Sequence, residues 1–115
     1  MLKEGSFRDA DSFHRGNGTA TIYRGSDGAL LLRLENFKVT NGPELHVILS
    51  PNQNPESPED LKAPGYIDLG KLKGNIGNQN YPIPDNMGIA AMGSVVIYCL
   101  PFQVIFSVAS LGDAG

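Results

Sequence analysis

The sequence has no tryptophan, one cysteine, two histidines and no long apolar run. A lone cysteine excludes an internal disulfide and leaves a free thiol or an intermolecular bridge. Without an apolar stretch of about twenty residues there is no transmembrane helix. The opening residues MLKEGSFRDADSFH contain no apolar signal core, so an exported chain would take its signal or anchor from outside this sequence. Net charge is also low. A value of -3 is mild, and of the wrong sign for nucleic acid or an anionic membrane. Long amphipathic helical patterns are missing as well, which argues against a β/α alternation.

What is present suits one domain over residues 1–115. Hydrophobic residues make up 41%, enough to fold around a core. The 14 glycines and 8 prolines are scattered, as many turns between short strands require.

Gly5-Ser6-Phe7 reads as the opening of an edge strand, and Gly16-Asn17-Gly18 as a turn. Residues 19–24 (TATIYR) alternate, with Ala20 and Ile22 on one face. Gly25-Ser26-Asp27-Gly28 is a tight hairpin turn. The return strand places Leu30, Leu32 and Leu34 on one face. Phe37 falls out of that phase, which predicts a bulge or bend near Asn36. After the turn Asn41-Gly42-Pro43, residues 44–50 (ELHVILS) form a strand with Leu45, Val47 and Leu49 inward. Residues 51–64 carry four prolines and are irregular. Ser57-Pro58 there resembles an N-cap and first-turn proline of a short helical turn. Ile67 and Leu69 mark a further strand, residues 73–80 are turn-rich, residues 81–84 are short and extended, and residues 86–93 suggest a helical turn.

The most hydrophobic stretch is residues 94–111, SVVIYCLPFQVIFSVASL, which divides into two strand-length runs around Pro101-Phe102. Short strands at close spacing predict an all-β domain, an antiparallel β-sandwich or flattened β-barrel. Leu32, Leu34, Val47, Leu49, Ile97 and Phe106 are the expected core.

Few side chains offer chemistry. Cys99 reads as a redox thiolate or a soft metal or haem ligand on one view, and as a small buried hydrophobe on the other. Val95, Ile97 and Cys99 share one strand face, and Val96, Tyr98 and Leu100 the other, so the alternation leaves its exposure open. His14 and His46 lack ligand spacing and read as surface residues, His46 pointing outward between Leu45 and Val47. Residues 51–60 lack the EF-hand pattern, and KGNIGNQN lacks the Gly-Lys-Ser/Thr of a phosphate loop. No metal site is expected.

Several ordered segments resemble the electron transfer DM-thirteen domain family. They are Gly5-Ser6-Phe7, Gly18-Thr19-Ala20, Leu32-Arg33-Leu34-Glu35-Asn36-Phe37 and Asn41-Gly42-Pro43-Glu44-Leu45-His46-Val47. Leu69-Gly70-Lys71-Leu72-Lys73-Gly74-Asn75 and Gly77-Asn78-Gln79-Asn80-Tyr81 follow. The last is Ser94-Val95-Val96-Ile97-Tyr98-Cys99, leading through Phe102 into Phe106-Ser107-Val108-Ala109-Ser110-Leu111. The resemblance spans nearly the whole chain. It implies an extracytoplasmic domain of a kind found beside DOMON-type and cytochrome b-type membrane domains, with Cys99 as its redox residue. Tyr98 and Leu100 stand beside that cysteine where the family pattern has Trp and a polar or charged residue.

The resulting expectation is a secreted, periplasmic or surface-anchored accessory domain for electron transfer, rather than a stand-alone enzyme. Cys99 would exchange electrons or disulfides with a redox or cell-surface protein partner. Two other readings stand beside it. One is a protein- or glycan-binding module using residues 51–65 and 74–81. The other is a haem or metal carrier using Cys99 with His14 or His46.

Overall fold

The computed structural model describes residues 2–61, 65–84 and 88–113. Its strands are β1 (Lys3–Asp9), β2 (Gly16–Arg24), β3 (Leu30–Val39), β4 (Leu45–Ser50), β5 (Ile67–Lys71), β6 (Gln79–Ile83), β7 (Ser94–Cys99), β8 (Val104–Ser110) and β9 (Gly112–Asp113). A single helical turn, α1 (Pro58–Leu61), precedes β5, and a 3₁₀ turn, Ile89–Ala91, precedes β7. The strands form one antiparallel sheet ordered β5-β4-β7-β8-β1-β2-β3-β6, with β9 beside β1. This sheet is nearly closed into a barrel. Of the two all-β architectures compatible with the sequence, the barrel is the one adopted.

β1 is where the sheet turns its corner. Its first half pairs with β2 and β9, and its second half, from Phe7, pairs with β8. The expectation of an edge strand there is therefore corrected: β1 is interior to the sheet. Gly5 permits this, because a Cβ there would lie 2.0 Å from the Ser110 carbonyl oxygen. Buried Phe7 then packs edge-on against Phe37, with ring centroids 5.1 Å apart.

Gly16-Asn17-Gly18 is likewise strand rather than turn, and the chain reverses before it, across residues 10–15. Opposite Gly18 sits the bulge anticipated from the phase of Phe37. Asn17 pairs with Lys38 and Thr19 with Glu35, so Asn36 and Phe37 together face one residue. Asn36 takes the left-handed conformation, with φ 51°. The bulge turns Phe37 inward, where it is buried.

The inward faces of the strands build one large core. It contains all six expected residues except that it is wider, drawing in Phe37, Val39, Tyr81 and Ile89 as well. A smaller apolar layer lies outside the barrel, where Leu61 of α1 covers Ile48, Val96, Tyr98, Ile105 and Val108. Pro58 opens α1 as anticipated, but the cap comes from Asp60, whose carboxylate accepts from the backbone N–H of Glu56 and Ser57. Of the helical turn expected over residues 86–93, Asn86 and Met87 fall outside the described residues.

The gap between the outer strands β5 and β6 is bridged by the 72–78 connection. The Leu72 N–H donates to the Leu45 carbonyl, and the Lys73 N–H to the buried Tyr81 hydroxyl at 2.8 Å. That hydroxyl donates in turn to Gln79 Oε1, and Gln79 Nε2 donates to the carbonyls of Gly74 and Gly77. Burial raises the Tyr81 pKa above its ordinary value, partly offset by the hydrogen bond from Lys73.

Candidate functional site

Cys99 closes β7, directly opposite Leu45 on β4 and Val104 on β8. Alternation puts it with Val95 and Ile97 in the main core, at 1% exposure. This settles the face that the sequence left open. The reason lies in the partner strand: Leu45, Val47 and Leu49 point inward on β4, and antiparallel pairing places residues directly opposite on the same face.

The thiol donates a hydrogen bond to the Pro43 carbonyl oxygen at 3.1 Å. Pro43 lies on the 40–44 connection, which covers the end of the barrel over Cys99. Residues 41–43 are otherwise loosely held. Among the described hydrogen bonds, the only other one they make is local, from the Gly42 N–H to Asn41 Oδ1. Packing supplies the rest. Gly42 rests against the ring of Phe106, and a Cβ there would approach two ring carbons to 2.7 Å. Glu44 leaves the turn with φ 45°. Cys99 is thus a buried thiol under a short lid whose ends are held by Thr40 on Arg15 and by Glu44 on Leu100 and Lys71, and whose middle, residues 41–43, meets the barrel through the thiol and the Phe106 ring.

His14 lies on the 10–15 connection at the same end. Its ring tilts over Phe106 with centroids 4.4 Å apart, and Nδ1 lies 2.8 Å from the Asp11 carboxylate. This bond from His14 is the leading reason the Asp11 carboxyl sits below its ordinary pKa, with the Phe13 N–H adding to it. Both aromatic residues therefore contribute to the wall beside the lid.

His46 goes elsewhere. It pairs with Tyr98 on β7 and so faces outward, away from Cys99. The sequence-based expectation of a surface side chain needs correcting, because the side chain is only 13% exposed. Nδ1 donates to the Asp68 carboxylate at 3.0 Å, and Nε2 is buried without a partner among the described residues. Residue spacing carried no sign of this pair, since the two side chains are 22 positions apart and meet only through the β4–β5 pairing. Tyr98 borders a small cleft of about 170 Å³ with Tyr66, Asp68, Leu61 and Leu100. Its pKa is raised, first by burial and then by neighbouring Cys99, Glu59 and Tyr66.

The fold does not assemble Cys99 and His46 into one ligand set, because they occupy opposite faces of the sheet. Among the described residues no group of three or more His, Cys, Asp or Glu side chains is placed to hold a metal ion. The two loops of the binding-module reading also part company. Residues 52–54 fold over the outer side of β7 and β8, where Asn52 and Gln53 carbonyls accept from Ser94 and Ser110. Residues 74–78 bridge the β5–β6 gap.

Fold and site together define a small antiparallel barrel with one buried thiol beneath a lid at its end. The chain belongs to the family described as Electron transfer DM13, whose model matches residues 6–111. The family is one of electron-transfer domains, and the match includes every strand from β2 to β8, the lid and Cys99. None of the curated proteins and none of the solved structures matches the chain. No helix among the described residues is long and apolar enough to cross a membrane.

Proposed function

We propose that this chain is an extracytoplasmic electron-transfer domain in which Cys99 is the redox residue, acting on a disulfide of a partner protein. The observation that carries the reading is the lid: among the described hydrogen bonds, a single one from the thiol ties residues 41–43 to the barrel. Lifting the lid breaks that bond and opens the sulfur to solvent at the same time. The Cys99 thiol then gives up its proton, and its sulfur attacks one sulfur of the partner disulfide. A mixed disulfide forms, and the other partner sulfur leaves as a thiolate that takes up the proton. A thiol of an electron donor then attacks the partner's sulfur in the mixed disulfide: a donor–partner disulfide forms, and Cys99 leaves as a thiolate that takes up the donor's proton. The chain has no second cysteine, so this resolution is intermolecular.

The extracytoplasmic setting fits this chemistry, because protein disulfides persist as substrates outside the reducing cytosol. The DM-thirteen resemblance, with its DOMON-type and cytochrome-type companions, supports the same setting. The test is mass spectrometry of the native chain after mild peroxide or after oxidised glutathione. A mass gain on the peptide that carries Cys99, absent from the same peptide of Cys99→Ser, is expected. A Cys99 that stays unmodified under native conditions, while reacting in denaturant, would sink the thiol mechanism. Recovery of the natural protein in the cytosolic fraction of its cells would remove the proposed setting.

A further inference from the structure

The strand registers bring four connections to one pole of the barrel. Gly16 pairs with Val39, Asp9 with Ser107, Leu45 with Cys99, His46 with Lys71 and Lys38 with Ile76. Residues 10–15, 40–44, 72–78 and 100–103 therefore gather at the end that holds Cys99. Five large hydrophobic side chains are exposed among the described residues, and four of them stand here: Phe13 at 82%, Ile76 at 67%, Phe102 at 69%, and Leu100. Scattered exposed apolar residues need no explanation, but their collection at one end of a molecule does.

Cations accompany them. Arg15, Lys38, Lys71 and Lys73 are all exposed on these connections or the strand ends that lead into them. The carboxylates of the same segments are Asp9, Asp11 and Glu44. Asp9 accepts from the Gly16 N–H, Asp11 from His14, and Glu44 pairs with Lys71. Among the described residues Arg15, Lys38 and Lys73 make no ion pair. Four cations against three carboxylates leave the pole with a small positive excess, in a chain whose net charge is -3.

We propose that this pole docks on a bilayer containing anionic lipids. Phe13, Ile76, Leu100 and Phe102 enter the headgroup region, and Arg15, Lys38 and Lys73 meet the lipid phosphates, Lys73 leaving its hydrogen bond to the Asn80 carbonyl. Three features favour a bilayer over another protein. The apolar side chains stand on three separate loops, with polar or glycine residues between them, rather than forming one flat patch. A fluid interface yields around each prong, whereas a protein partner would need a matching hollow for each one. The small positive excess around the prongs suits anionic headgroups better than the net negative charge of the rest of the chain does, and cations near such a surface add to the attraction of buried apolar area. Against a second copy of this pole, the small positive excess offers no complementary charge.

The experiment is co-sedimentation of the chain with large unilamellar vesicles of phosphatidylcholine alone and of phosphatidylcholine with phosphatidylglycerol. Binding to the mixed vesicles is expected, weaker on the neutral ones and lowered by salt. Phe102→Ser and Phe13→Ser should each lower the partition by about tenfold, since each withdraws one aromatic ring from the interface. Lys38→Glu with Lys73→Glu should remove the preference for the anionic vesicles. All four positions are exposed, and unchanged thermal unfolding confirms that each variant is folded. No sedimentation with either vesicle would overturn the proposal, as would binding that Phe102→Ser leaves unchanged. So would self-association abolished by Phe102→Ser in a chain that ignores vesicles, which would make the pole a protein contact.

Discussion

Replacing Gly42 by alanine tests the lid directly. The added Cβ would lie 2.7 Å from two carbons of the Phe106 ring and 3.5 Å from Leu45 Cδ2. An ordinary contact needs about 1 Å more than the ring allows, and forcing a methyl into such a site costs about 1–3 kcal/mol. Either the ring or the lid must move. Phe106 is buried in the main core with the His14 ring against it, so its displacement would disturb packing on both sides. Among the described hydrogen bonds, residues 41–43 are tied to the barrel by the Cys99 thiol alone, while Thr40 and Glu44 anchor the two ends of the lid. The strain should therefore fall mainly on the lid and lower its opening free energy by about the same 1–3 kcal/mol, raising the open population by about 5-fold to 150-fold. The assay is the rate at which an aromatic disulfide reagent modifies Cys99 under native conditions, measured beside denaturant unfolding of the same protein. The rate should rise by that factor and depend weakly on denaturant, as a local opening does. A rate equal to that of the parent chain would refute the reasoning. So would a rise with the full denaturant dependence of global unfolding, because the thiol would then be reached only by unfolding the barrel.

Other substitutions probe the frame around the lid. Gly18→Ala should destabilise the chain by about 2 kcal/mol or more in urea unfolding, since Gly18 has φ 109° and a Cβ there would lie within 2.8 Å of β3 backbone atoms. Cys99→Ser keeps a donor for the Pro43 carbonyl, while Cys99→Ala loses it. Alanine should therefore be the less stable of the two by about 1 kcal/mol, and both should lack the peroxide-dependent mass gain at position 99. Tyr81→Phe should cost about 1–2 kcal/mol by leaving the Lys73 N–H and Gln79 without their shared partner. The Tyr81 pKa is raised from 10.0, so the unfolded chain loses this proton first as pH climbs. Its contribution is complete below pH 10 and is lost as pH rises through the folded-state value. Thermal unfolding should accordingly show a steeper alkaline loss of Tm in the parent chain than in Tyr81→Phe, with part of the loss remaining through Tyr98, whose pKa is also raised.

Much of the barrel was legible along the chain because period-two alternation is a local property. Ala20 and Ile22, the three leucines of β3 and the inward set of β4 all follow from counting, and each lies in the core. The bulge at Asn36 was legible for the same reason: a buried Phe37 cannot keep the phase of Leu34 without an extra residue. The misreadings at Gly5 and Gly16 have a common cause. Glycine signals turns and edges by its freedom, but here it serves close approach, to the Ser110 carbonyl at Gly5 and to the Ser107 side chain at Gly16. Those neighbours come from the far end of the chain, so no local pattern contains them. The same holds for His46 and Asp68, which meet through strand pairing.

The sequence by itself determined an all-β chain of short antiparallel strands, its core faces, its family, and Cys99 as the one side chain able to do thiol chemistry. Alternation and composition suffice for these because they act between near neighbours. Only the tertiary structure decided that the sheet rolls into a barrel, that Cys99 faces inward with its thiol on Pro43, and that four exposed apolar side chains on three loops share its pole. Each of those outcomes depends on which strands lie side by side, and pairing joins residues from opposite ends of the chain. Strand alternation divides Cys99 from Tyr98, and the pairing of β7 with β4 sets which of them lies under the lid.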